Sequence, residues 1–256
     1  MSKASFANVP LYELVLGIQF PEEVFQPIDV LNLYSSNMEG FPNMQEQPPL
    51  PAIIEDLEKP SSFSVPTNFV SRKFFVSNEG NHLLQLQPNR LLMNWRKEAI
   101  GQDSSESAYP HFESIYVNFI SILNYVDSSI ASLEKVNQYE ITFIDHFYFD
   151  ELGLDPSQML NIFNLITFPD EIKGIDFTLQ FPRRDINSII YIKMQSAKKN
   201  SDGRDLLRSE ITCRGFNGSG IENIKSWFEL SHQICVELFL SILTKEVKQK
   251  LGYKHE

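Results

Sequence analysis

Tyr139-Glu140-Ile141-Thr142-Phe143-Ile144-Asp145-His146-Phe147-Tyr148-Phe149 reads as a strand. Ile141, Phe143, Asp145, Phe147 and Phe149 share one face, and Glu140, Thr142, Ile144, His146 and Tyr148 share the other. Its position, halfway along the chain, decides the fold. A comparable strand, Leu11 to Phe20, opens the chain with Glu13 and Gln19 on one parity. After each strand the sequence spells the same order: a helix, three strands, a long helix. The first unit runs from about Leu11 to Leu133 and the second from about Gln138 to Gln249, giving halves 1–135 and 136–256. The expected fold is α+β, built from tandem duplicated strand-helix-three strands-helix units. Mostly antiparallel sheets would lie side by side about a pseudo-two-fold axis, packed against long helices.

Working outward in the first half, Pro21 ends the opening strand and Phe25 to Met38 has helical spacing. Three prolines keep Gln45 to Pro51 extended, either as a polyproline ligand for a partner or, the favoured reading, as a stiff connector packed along its own domain. Strands follow at Phe69 to Ser77, His82 to Gln87 and Arg90 to Lys97, joined by the turn residues Asn78-Glu79-Gly80-Asn81 and Pro88-Asn89. A polar linker, Gly101 to Ser107, precedes an amphipathic helix from Tyr109 to Leu133. In the second half, Asp155 is an N-cap candidate before Pro156. Strands are expected at Gly174 to Phe181, Ser188 to Ser196 and Leu206 to Phe216. A last helix is expected from Ile221 to Leu251, with capping-box spacing at Ser219 and Glu222.

Composition narrows the function classes. The chain has 256 residues, 42% of them hydrophobic, with 20 Phe and 9 Tyr, enough for a sizeable core. Its net charge of −11 argues against nonspecific binding to nucleic acid or an anionic membrane. The basic runs Phe181-Pro182-Arg183-Arg184 and Lys198-Lys199 read as solvated loops. Cys213 and Cys235 read as core thiols of a cytoplasmic protein. No signal peptide or transmembrane segment is expected; Glu229, His232, Gln233 and Glu237 interrupt the most apolar stretch.

The candidate binding surface is the polar parity of the central strands. It collects Gln85, Gln87, Asn94 and Arg96 from the first half, and Glu140, Thr142, His146, Glu210, Thr212 and Arg214 from the second. In a cleft between the halves these would bind a polar small molecule, a peptide or a nucleotide. On a solvated face they would form cross-strand pairs such as Glu210 with Arg96. Asp145 and His146 are adjacent on a strand and point to opposite faces, so they cannot form a dyad. Asp145 is expected to be a buried, hydrogen-bonded acid or the site of a bulge. His232 is expected among Phe228, Cys235, Val236 and Phe239. The glycine-rich turn 214–220 lacks a Walker ending, and no serine-hydrolase elbow or zinc spacing is present, so no catalytic residue, metal or cofactor is expected.

Several stretches resemble an uncharacterised, sporadically distributed bacterial family of about this length. They are Pro10-x-x-Glu13, Glu46-Gln47-Pro48-Pro49-Leu50-Pro51, Leu84 to Arg90 leading to Asn94-Trp95-Arg96, Tyr109-Pro110, Asn137 to His146, and His232 with Phe239, Leu243-Thr244 and Gly252. The resemblance brings no activity, cofactor or catalytic residue. The family's patchy distribution resembles that of phage-defence and toxin–antitoxin genes. The expected function is a non-catalytic cytoplasmic sensor or adaptor with a ligand and a protein partner, one component of a two-protein module. The rivals are a dispersed-site hydrolase or nuclease acting through Glu140, His146 and Glu210, and a carrier of lipid or another hydrophobic ligand.

Overall fold

A computed structural model describes residues 4–29, 32, 40–58, 62–64, 71–100, 108–165 and 172–255. In the first half its strands are β1 (Ala4–Phe6), β2 (Leu11–Gln19), β3 (Asn43–Gln47), β4 (Ala52–Ile54), β5 (Ser62–Ser64), β6 (Arg72–Val76), β7 (His82–Gln87) and β8 (Arg90–Arg96). The second half has β9 (Gln138–Tyr148), β10 (Asp176–Arg183), β11 (Ser188–Lys198), β12 (Asp205–Gly215) and β13 (Tyr253–His255). The helices are α1 (Phe112–Ser129), the single turns α2 (Phe149–Leu152) and α3 (Pro156–Met159), then α4 (Ile221–Ile242) and α5 (Lys245–Lys250).

Nine strands form one antiparallel sheet in the order β10-β11-β12-β9-β2-β8-β7-β6-β3. The fold is therefore α+β around one large sheet, with the small ladders β1-β13 and β4-β5 beside it, not two sheets side by side. Each leading strand would present an open edge to solvent if its half stood alone. Here β2 and β9 satisfy each other, from Leu11 opposite Asp145 to Gln19 opposite Gln138. A backbone ladder thus joins the halves where an inter-half cleft was expected.

Period-2 alternation then sorts the side chains. Leu14, Leu16, Ile18, Met93, Trp95, Ile141, Ile190 and Ile211 face the helices and are buried. Against them lie Phe112, Ile115, Phe119, Leu123 and Val126 of α1 and Ile224, Trp227, Phe228, Ile234 and Cys235 of α4. Phe119 and Phe228 meet edge to face at 5.4 Å. Each large apolar side chain so buried contributes about 1.5–3 kcal/mol.

Both main helices are shorter than the spacing predicts. Pro110 and His111, the latter at φ 68°, hold the first turn of α1 back to Phe112. The last helix breaks after Ile242, because Thr244 caps a new helix: its Oγ1 accepts from Val247 N at 3.4 Å and donates to Gln158 O at 2.8 Å. The Ser219–Glu222 capping box does not form. Gly220, at φ 81°, is the N-cap and Glu222 pairs with Lys225. Asp155 does cap α3, its N–H donating to Gln158 Oε1 at 2.9 Å. The helix expected over Phe25 to Met38 and the linker Gly101 to Ser107 lie largely or wholly outside the described residues; 27–29 are helical. No helix among the described residues is long and apolar enough to cross a membrane.

Gly215 marks the closest backbone approach. A Cβ there would sit 2.2 Å from Ser188 Oγ and 2.4 Å from Asn187 O. Ser188 Oγ in turn accepts from Trp227 Nε1 at 3.0 Å, so the strand cannot move aside without freeing a buried indole. Gly215→Ala is expected to cost about 1–3 kcal/mol, read from the urea midpoint. An unchanged midpoint would show that β11 and β12 part easily here.

Candidate functional site

The ten predicted site residues lie on the sheet face opposite α1 and α4, but in three different environments. Residues 48–58 form a strap across one end of that face. Leu50 N donates to Gln87 Oε1 at 2.9 Å and Gln87 Nε2 donates back to Leu50 O at 3.0 Å. Gln19 repeats the pattern on Ile53, with its Nε2 donating at 2.9 Å and its Oε1 accepting at 3.2 Å. Gln138 Oε1 accepts from Glu55 N at 3.2 Å. Three glutamine carboxamides thereby stand in for a neighbouring strand. The Glu55 side chain continues the contact, bonding to Arg214 Nη1 at 3.2 Å and Tyr191 OH at 2.9 Å. Arg214 Nε also donates to Glu140 at 2.6 Å. Burial opposes the charge on Glu140, yet Arg214 and Arg90 beside it hold its carboxyl below the usual range. Gln87, Glu140 and Arg214 therefore hold the chain's own strap.

The middle of the face is a relay of side-chain hydrogen bonds. Arg72 Nη1 donates to Gln85 Oε1, Gln85 Nε2 to Asn94 Oδ1, and Asn94 Nδ2 to Glu13 Oε1, each at 2.7 Å. Thr142 and Thr212, directly opposite in register, share a hydrogen bond at 2.8 Å.

At the far end, beyond the strap, the face opens into a cleft of about 420 Å³. A β-bulge in β2 between Leu11 and Glu13 builds it. Leu11 stays in the core, while Tyr12 and Glu13 both turn to the polar face, as a bulge allows. Tyr12 stacks on His146 with ring centroids 4.0 Å apart. Tyr12 OH donates to Glu98 Oε2 at 3.2 Å, and Lys199 pairs with the same carboxylate. Arg96 lies over the Tyr12 ring at 5.7 Å, its Nε 3.7 Å from Glu13 Oε2. Arg208, opposite His146 in the register, pairs with Glu210 at 2.7 Å. The lining holds four cations, Arg96, Lys198, Lys199 and Arg208, against the two carboxylates Glu13 and Glu98. Each of these cations is ion-paired, Arg96 with Glu13, Lys198 with Asp205, Lys199 with Glu98 and Asp202, and Arg208 with Glu210, so the cleft is polar and charge-balanced. Burial, then the nearby Arg208, pushes the His146 imidazole down to about 4, so it is neutral at pH 7. Its Nδ1 is buried without a hydrogen-bond partner.

Several expectations change. Arg96 and Glu210 are not partners, because Glu13 and Ile144 stand between them in the register, about 14 Å at strand spacing. Glu140 and His146 lie six residues apart on one strand, about 20 Å, so with Glu210 they do not converge on one reacting atom. Asp145 is buried, with its Oδ2 unbonded, and burial pushes its carboxyl up to about 8. The bulge lies across from it, in β2. His232 stacks on Phe112 at 3.8 Å, and burial pushes its imidazole down to about 4. Cys213 and Cys235 are buried free thiols. The basic run at 183–184 pairs with Asp185 and Glu58. Among the described residues no group of three His, Cys, Asp or Glu is placed to hold a metal ion. The space on the helix side is filled by Trp95, Phe119, Tyr139, Trp227 and Phe228.

Sequence reasoning missed Tyr12, Glu98 and Arg208 in the cleft, and Gln19, Glu55 and Gln138 at the strap. Gln19 and Glu13 had one signal, their shared parity in the opening strand. No protein-family model matches the chain, and no curated protein matches it in sequence.

Proposed function

We propose that this chain is a non-catalytic recognition protein, a cytoplasmic sensor or adaptor, whose ligand seats in the cleft around Tyr12 and His146. One observation carries the reading: the uncovered end of the polar face is a concavity of about 420 Å³ drawn from strands of both halves, β2 and β8 from one and β9, β11 and β12 from the other. That volume is within the usual range for a small-molecule site. Paired charges, the Tyr12 ring and a neutral imidazole there favour a small polar ligand with an aromatic or planar face. The two buried free thiols fit a reducing compartment.

The strand order supports reading the halves as two copies of one unit. Counted from the leading strand, the first half runs β2-β8-β7-β6 and the second β9-β12-β11-β10. Each trio is followed in sequence by a helix on the same sheet face, α1 or α4. In a duplicated scaffold of this kind the seam between copies gathers residues from both.

The test compares the tagged chain with a Tyr12→Ala/His146→Ala variant, both purified from the native host and examined by native mass spectrometry. Wild type is expected to retain a small molecule that the variant has lost by at least about tenfold, the effect of removing about 1.4 kcal/mol of contact. Equal retention by both, or a bare wild-type chain, would overturn the reading.

A further inference from the structure

We infer that the strapped end of the polar face is a second, separate binding site, a receptor for an extended acidic peptide, and that residues 48–58 are its resident mimic. Three features of the contact carry this. First, recognition is through the backbone. Gln87 and Gln19 each form a closed two-bond ring with the N–H and C=O of one residue, Leu50 and Ile53, and Gln138 takes the N–H of Glu55. Side-chain amides used in this way accept any extended segment, as a sheet edge does in β-strand addition.

Second, one position is read by its side chain. Glu55 inserts a carboxylate between Arg214 and Tyr191, with Glu140 balancing the far side of the guanidinium. A replacement segment must carry a carboxylate five residues after the one that pairs with Gln87 and two after the one that pairs with Gln19. Prolines at the Pro48, Pro49 and Pro51 positions would keep such a segment extended before it binds, which lowers its ordering cost.

Third, burial is lopsided. Beneath the strap Gln19, Gln87, Arg90 and Gln138 are 3–4% exposed. The strap's own Leu50, Pro51 and Ile53 are only half-buried, and Ile54 is 53% exposed. The strap is held to the sheet by polar bonds rather than by a packed apolar face. Among the described residues its β4 stretch pairs only with β5, so the two lift together as a hairpin. Segments of that kind belong to the low-stability end of a structure and open locally. When it lifts, it uncovers a finished groove of three carboxamides, two guanidiniums and one carboxylate. An extended peptide from a partner protein, with its carboxylate in register, fits that groove.

The probe is a fluorescent peptide of residues 48–58, titrated into the full chain carrying Glu55→Ala, which weakens the resident strap. That chain is expected to bind the peptide. The same peptide with alanine at the Glu55 position should bind about thirtyfold more weakly or worse, the lower end for truncating one partner of a buried charge pair. Wild-type chain should bind the probe more weakly than the variant, since its own strap competes at an effective concentration near millimolar. No binding by a folded Glu55→Ala chain, or binding indifferent to the peptide's glutamate, would overturn the proposal. If Glu55→Ala fails to fold, hydrogen exchange on the wild type decides. The amides of Leu50, Ile53 and Glu55 should exchange at least about a hundredfold faster than those of β2 and β9. Equal protection would mean that the strap opens only with the whole protein, and the proposal falls. Neither result depends on what occupies the cleft at Tyr12 and His146.

Discussion

Arg214→Ala is expected to destabilise the protein by about 3–5 kcal/mol, the cost of leaving a buried charge uncompensated. Arg214 is the only residue bonded to both Glu140, at 2.6 Å, and Glu55, at 3.2 Å, among the described contacts. The side chains of Glu140 and Glu55 are 17% and 4% exposed. Without the guanidinium, two carboxylates face each other across a water-poor gap, with Arg90 the remaining cation near Glu140. Arg214→Lys should recover only part of the loss, because an ammonium cannot present the planar fork that reaches both carboxylates. Adding Glu140→Gln to Arg214→Ala should restore some stability, since it removes one of the stranded charges. Urea unfolding followed by circular dichroism measures all three. A loss below about 1 kcal/mol for Arg214→Ala would place the network in solvent and remove it as the anchor of the strap.

Between pH 6.5 and 8 the Asp145 carboxyl should cost about 1.5–2 kcal/mol of stability, read as the difference between the pH dependence of the wild type and that of Asp145→Asn. Burial lifts the Asp145 carboxyl from 3.8 to about 8. Across this window the folded chain keeps a proton that the unfolded chain has already released. Raising the pH therefore favours unfolding until the folded carboxyl itself ionises, and the slope flattens above about 8. The opposite sign holds for His146 and His232, whose imidazoles are pushed from 6.5 to about 4. Their contribution is intact above 6.5 and is lost as the pH falls through 4, because the unfolded chain takes up protons that the folded one refuses. Through about pH 7 the histidines and Asp145 thus partly cancel, and above that Asp145 dominates. Identical pH dependence of wild type and Asp145→Asn from pH 6.5 to 8 would contradict this assignment.

What the sequence revealed follows the range of the forces involved. The alternation of Tyr139 to Phe149 is local, and it correctly puts Glu140, Thr142 and His146 on one face with Asp145 on the other. Asn78 to Asn81 and Pro88-Asn89 are local turn chemistry, and the hairpins β6-β7 and β7-β8 form there. The prolines at 48, 49 and 51 gave away an extended connector lying along its own domain.

What it ran onto did not show, because the Gln19–Ile53 bonds span 34 residues and the Arg214–Glu55 bond 159. Tyr12 was assigned to the alternation of its strand, and only the register between β2 and β9 reveals the bulge that turns it beside Glu13. The supposed Glu210–Arg96 pair failed for the same reason, since the order β12-β9-β2-β8 places two strands between the partners. A chain that pairs its two leading strands has no gap between halves, so the open site moved from the seam's centre to its end.

Hydrogen exchange with and without the small molecule retained by the native protein bears most directly on a ligand seated at that end. Slowed exchange is expected at 11–13, 96–98, 144–146 and 197–208, the segments that wall the cleft, with α1 and α4 unchanged. Protection confined to the helices, or to the edge strands β3 and β10, would contradict a cleft-bound ligand and move recognition to another surface of the protein.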